Sequence, residues 1–248
     1  MKPGDVVATP GLISFWDFHE KAGEPRVSAG RHAYVLEEMA GAVRRSDEGI
    51  FGPHAAHLGT GQWFRASRAE CPALNLHGPQ AQVTVVAWLK REQKALIPGQ
   101  CEAVAGMWNE TRARRQYCLF LNLRIFESAD QVCGHVSGVG GPTPGQRWCM
   151  DAAIGATPVP LGEWCCAGFT YDGRVAKSYF NGRLDARDGR NPYVYELGLF
   201  DGGRDGADFT VGAVDRSGEM GNWFQGAIGG LAVFSRALQE EEMEKFTT

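Results

Sequence analysis

Trp164-Cys165-Cys166-Ala167-Gly168-Phe169-Thr170-Tyr171-Asp172-Gly173-Arg174-Val175-Ala176-Lys177-Ser178-Tyr179-Phe180-Asn181-Gly182-Arg183 decides the fold. Two apolar runs, Trp164 to Tyr171 and Val175 to Asn181, are each followed by Asp-Gly or Asn-Gly, the pairs that best tolerate the positive φ of a tight hairpin turn. Successive hairpins make an antiparallel sheet, so the reading outward from here looks for further strands.

They are found on both sides. Val83 to Lys90 is an apolar, β-branched run bounded by Pro79 and by Arg91-Glu92-Gln93. Ala103 to Trp108, Gln116 to Arg124 and Gln131 to Ser137 follow at short spacing, and Asp208 to Gly212 and Gly226 to Phe234 close the series. Near the start, Gly11 to Phe18 is an opening strand followed by a turn over residues 20–25. The 33 Gly and 12 Pro are spread along all 248 residues as turn punctuation, and no repeat or linker divides them. The expectation is an all-β, two-sheet antiparallel jelly-roll sandwich forming one domain over residues 1–248. One helix is expected, over Gln239 to Phe246, with Glu240, Glu241 and Glu242 in its first turn and Met243 and Phe246 on one face. Gly138 to Pro160, rich in Gly and Pro, interrupts the strand rhythm as a long excursion that could serve as a lid.

Composition removes several function classes. Twenty-five Lys plus Arg against 29 Asp plus Glu give a net charge of −4, which supplies no broad footprint for nucleic acid or an anionic membrane. No apolar run reaches the roughly 18 residues of a membrane span. The seven cysteines form no C-x-x-C pair and read as reduced, buried thiols. Residues 1–8 carry no hydrophobic signal core, so the sequence as written is expected in the cytoplasm, or secreted or periplasmic if a signal peptide has been removed. Gly-x-Ser-x-Gly, phosphate-loop and His-Glu-x-x-His motifs do not occur.

Four ordered segments, Gly11–Phe18, Val83–Lys90, Trp164–Arg183 and Phe224–Leu238 with its acidic helix, resemble the laminin-G-like jelly roll of the concanavalin-A-like lectin and glucanase superfamily. The resemblance implies a carbohydrate partner bound on a concave sheet. It also implies the alternatives found in such a superfamily: polysaccharide lyase, glycoside hydrolase, or a protein-interaction domain. Many members carry a structural calcium ion, for which Asp17 and Asp215 are the available carboxylates. Where such domains commonly have a His pair and an acidic pair, this chain has Cys165-Cys166 and Gly229-Gly230.

Strand alternation selects the candidate site. With Tyr117, Leu119, Leu121 and Leu123, Val132, Gly134 and Val136, Ser178 and Phe180, and Val83, Val85, Ala87 and Leu89 turned inward, the outward set is Trp88, Asn122, Arg124, His135, Lys177 and Tyr179. If their strands share a sheet, aromatic faces and basic side chains meet an acidic glycan there. His135, Tyr179, Arg124 and Asn122 are the catalytic candidates for β-elimination, as in alginate lyases of this fold, and Trp88, Lys177 and Trp108 the substrate-binding ones. Hydrolysis would need two facing carboxylates, drawn from Glu102, Glu110, Glu127 and Glu163.

Overall fold

The computed structural model describes residues 2–21, 24–95 and 97–248. Their strands form two antiparallel sheets packed as a sandwich, and the helices are short. The nine-stranded sheet runs in the order Arg183–Leu184, Val175–Phe180, Trp164–Tyr171, Val83–Arg91, Gly226–Phe234, Ala55–Leu58, Arg44–Ser46, with Leu12–Trp16 also on Gly226–Phe234 and Tyr193–Val194 on Val175–Phe180. The ten-stranded sheet runs Ala152–Pro158, Gln131–Val136, Arg114–Leu121, Glu102–Asn109, Phe209–Val211, Trp63–Ala66, Val35–Met39, Arg26–Val27. A hairpin of Val214–Arg216 and Glu219–Gly221 joins it beside Asn109.

The expected hairpins are present. Asp172 Oδ1 accepts from the backbone N–H groups of Arg174 and Val175, closing the first turn. In the second, Asn181 and Gly182 both take positive φ, 47° and 77°, as a tight turn between right-twisted strands requires. The excursion expected over 138–160 is only half irregular, because Ala152–Pro158 forms the edge strand beside Gln131–Val136. The turn expected over 20–25 includes Ala22 and Gly23, which lie outside the described residues. Unforeseen strands fill 26–66; they are short and carry Glu37, Glu38, Arg44 and Arg45, so they lack the apolar run that marks an interior strand.

Between the sheets lie Val83, Val85, Ala87 and Leu89 from one side and Tyr117, Leu119, Leu121, Val132 and Val136 from the other. Alternation therefore assigns these faces as expected except at Leu123, which lies beyond the strand end at Leu121 and packs on the outer side instead. Cys165 belongs to this core while its neighbour Cys166 faces away, as strand geometry demands. All seven thiols are free and buried, and burial pushes those of Cys71, Cys133 and Cys165 up to about 12.

The outer face of the nine-stranded sheet is not open. Phe15, Val86, Trp88, Cys166, Tyr179, Ala232 and Phe234 are covered by Val6 of the helix Pro3–Val7 and by Leu238, Met243 and Phe246 around the helix Glu240–Met243. Arg236 clamps this cap through a two-pronged ion pair with Glu242, at 2.7 and 2.5 Å, which holds the Glu242 carboxyl down to about 2.

Candidate functional site

The outer face of the ten-stranded sheet carries a cavity. Along Glu102–Asn109, Arg114–Leu121 and Gln131–Val136, the residues that alternate with the core are Trp108, Phe120 and His135, and they form the floor of a cavity of about 330 Å³. Its walls are loops: Leu123, Arg124 and Ile125 on one side, Trp148, Cys149 and Met150 on another, with Arg216 and Asn222 from the hairpin region. Trp148 is 51% exposed at the rim and stacks with the Arg147 guanidinium 4.8 Å above its ring.

Three rings meet edge to face on the floor, with Trp108 5.1 Å and Phe120 5.4 Å from His135. Trp108 Nε1 and His135 Nδ1 are buried there without hydrogen-bond partners. An orphaned donor or acceptor costs about 1–3 kcal/mol, and here two such atoms sit on neighbouring rings of residues that line the cavity. Burial, reinforced by the Arg115 guanidinium, holds the His135 imidazole down to about 3, so it is neutral at ordinary pH.

That displacement has a stability consequence. Between pH 6.5 and about 3 the unfolded imidazole binds a proton that the folded one does not, so stability falls as pH falls through this window and levels off below it. Wild type is expected to lose on the order of 4 kcal/mol more than His135→Phe between pH 7 and pH 3, read by urea denaturation across pH. Parallel profiles for the two proteins would contradict the buried neutral imidazole.

Arg115 enters the cavity through an irregularity. Two-residue alternation would turn it inward with Tyr117, but a register shift between Met107 and Trp108 sets it opposite Trp108. Its guanidinium stands 5.9 Å from the Trp108 ring. Arg124 comes from a loop, because the strand expected over 116–124 stops at Leu121. Beyond it, Asn122, Arg124, Phe126 and Glu127 all take left-handed φ of 51–58° without being glycine, a conformation that costs energy at each residue. Asn122 is buried beneath, accepting from Arg124 Nε at 2.8 Å and donating to Glu102 at 3.2 Å.

The six outward residues do not share one face, and that expectation is corrected. His135, Arg124, Asn122 and Trp108 belong to the ten-stranded sheet and its loops; Trp88, Lys177 and Tyr179 belong to the nine-stranded sheet, on the opposite side of the molecule. Trp88 is fully buried, with Phe15, Phe51 and Phe246 around its ring and Nε1 donating to Thr247 O at 3.2 Å. Tyr179 is packed under the same cap, and Lys177 pairs with Glu240 at 2.8 Å. The physical reason is the apolar character of that outer face, which the terminal segments cover. His135 and Tyr179 therefore cannot act on one glycosidic bond.

The carboxylates proposed for hydrolysis are also dispersed: Glu102 is buried against Arg91, Glu163 and Glu127 are exposed elsewhere, and Glu110 alone of the four lines the cavity. No three His, Cys, Asp or Glu side chains gather as a metal-holding group among the described residues. Asp17 pairs with His19 at 2.6 Å, and Asp215 accepts from Asn109 at 3.0 Å and from Thr111. These two carboxylates do not form a calcium cradle. Arg115, Trp148, Arg216 and Asn222 were not foreseen; they come from a bulge, a short hairpin strand and loops, for which no sequence motif exists.

A sandwich of this kind, with its open site on one sheet, is a lectin-like fold, and sequence comparison agrees. The chain belongs to the concanavalin A-like lectin/glucanases superfamily, whose Laminin_G_3 family model matches residues 65–244. No curated protein matches it in sequence. Among solved structures it is similar to domain 4 of AbnA, a GH43 extracellular arabinanase from Geobacillus stearothermophilus, in complex with arabinotriose: TM-score 0.60, 16% identity, 96% of this chain and 98% of that one covered. It is likewise similar to the Ruminococcus gnavus IT-sialidase CBM40 bound to α2,3 sialyllactose, with TM-score 0.56, 17% identity and 84% and 99% covered. A Trypanosoma rangeli sialidase mutant matches at TM-score 0.59 and 15% identity, over 96% of this chain and 33% of that one.

Proposed function

We propose that this chain binds a saccharide in the cavity on the outer face of the ten-stranded sheet and holds it without turning it over. The observation that carries the reading is the pair of unpartnered buried polar atoms, Trp108 Nε1 and His135 Nδ1, on an aromatic floor. Trp108 Nε1 can only donate, while a neutral imidazole nitrogen accepts or donates, and sugar hydroxyls can serve either kind of partner. Trp148 at the rim offers an apolar ring face to a pyranose. The two neighbours crystallised with arabinotriose and sialyllactose support a saccharide as the ligand class. Retention without turnover is supported by the dispersal of acids and bases, since glycoside hydrolysis takes two facing carboxylates and the cavity is lined by Glu110 alone among them.

Calorimetric titration with a panel of neutral and acidic oligosaccharides tests this. At least one is expected to bind, and Trp108→Phe, which keeps a ring but removes the donor, is expected to weaken it about fivefold to tenfold. If no oligosaccharide binds, or if Trp108→Phe binds as wild type does, the cavity is not the sugar site.

A further inference from the structure

We infer that the sugar seated in this cavity carries a carboxylate. This rests on the saccharide reading above and adds the charge of the ligand. The argument comes from the arginines. Three are buried, Arg26, Arg91 and Arg115, and two of them are neutralised within the protein. Arg26 pairs with Glu20 and Glu38 at 3.1 and 3.2 Å; Arg91 pairs with Glu102 and Asp130 at 2.8 and 2.6 Å. Arg115, only 5% exposed, forms no ion pair among the described residues and bonds to the neutral Gly140 carbonyl. A buried guanidinium without a counter-ion is costly, and this one faces a cavity.

Two more guanidiniums, of the exposed Arg124 and the partly buried Arg216, reach the same cavity. Arg124 donates to the Asn122 amide oxygen, and Arg216 to the Gly99 carbonyl and the Asn222 amide oxygen. Neither forms an ion pair among the described residues. Against these three cations the cavity lining holds one acid, Glu110, which is engaged by Asn222 Nδ2 at 3.1 Å. A protein of net charge −4 thus concentrates positive charge at this one opening. The planar fork of a guanidinium matches a carboxylate by two parallel hydrogen bonds, and a site of a few hundred Å³ is about the size that encloses a small ligand. The ring hydroxyls then meet Trp108 and His135 while the acid meets the arginines.

The test titrates the intact protein with trigalacturonate and with sialyllactose, each beside its carboxyl-reduced neutral partner, against wild type and Arg124→Gln. Arg124 is an exposed loop residue, whereas Arg115 is buried, so Arg124→Gln is the variant that keeps the fold. Carboxyl reduction is expected to weaken binding roughly tenfold to a hundredfold in whichever arm binds, and the two arms tell a uronate from a ulosonate. Arg124→Gln is expected to weaken the acidic sugar and leave the reduced partner's affinity within about twofold. Equal affinity for an acid and its reduced partner, or binding confined to neutral sugars, would overturn the inference while leaving the saccharide reading intact. Failure of every acidic and neutral sugar to bind would remove both.

Discussion

Trp88→Ala is expected to destabilise the protein by about 3–5 kcal/mol while leaving saccharide affinity in the folded fraction unchanged. Trp88 is fully buried in the layer between the nine-stranded sheet and its cap, ringed by Phe15, Phe51 and Phe246 at 4.9 to 6.1 Å. Its removal leaves a large cavity and frees Thr247 O, whose N–H donor is lost. Denaturant midpoints, compared with calorimetric titration on the same preparation, separate the two effects. A loss of affinity at unchanged stability would mean that this face, and not the opposite one, meets the sugar.

Glu102→Gln is expected to cost a similar 3–5 kcal/mol by another route. Arg91 ends one strand of the nine-stranded sheet and Glu102 opens one of the ten-stranded sheet, so their two hydrogen bonds of 2.8 Å pin the sandwich together at one end. Both residues are almost inaccessible to water, and Lys94 lies 3.9 Å from the same carboxylate. Neutralising Glu102 leaves the Arg91 cation desolvated, with only the half-exposed Asp130 as counter-ion. The double variant Arg91→Met/Glu102→Leu is expected to recover most of the loss, because apolar packing replaces a buried pair at little cost. Equal damage in single and double variants would show that shape, and not the stranded charge, is responsible.

What the sequence made legible is the face each strand residue takes. Tyr117, Leu119 and Leu121 point inward and Phe120 and His135 outward because the period of a strand is two, and this needs no knowledge of neighbours. The capping helix was legible from its acids and from Met243 and Phe246. Which sheet a strand joins depends on pairings distant in sequence, and for that reason Trp88, Tyr179 and His135 looked like companions when they are on opposite sides. What covers a face is equally non-local. Arg115 illustrates a further limit: a single register shift beside Trp108 reverses the alternation, and nothing in Arg114-Arg115-Gln116 announces it.

Strand Gly226–Phe234 holds Leu12–Trp16 and Ala55–Leu58 along one edge and Val83–Arg91 along the other, with Leu12 lying opposite Phe234. In time, this makes the middle of the nine-stranded sheet the piece that must be awaited. Three earlier stretches acquire their common partner only after the rest of the sandwich has been synthesised, and closing such long loops slows folding. Until then Leu12–Trp16 and Val83–Arg91 are apolar strands with unsatisfied edges, the condition under which nascent chains find one another.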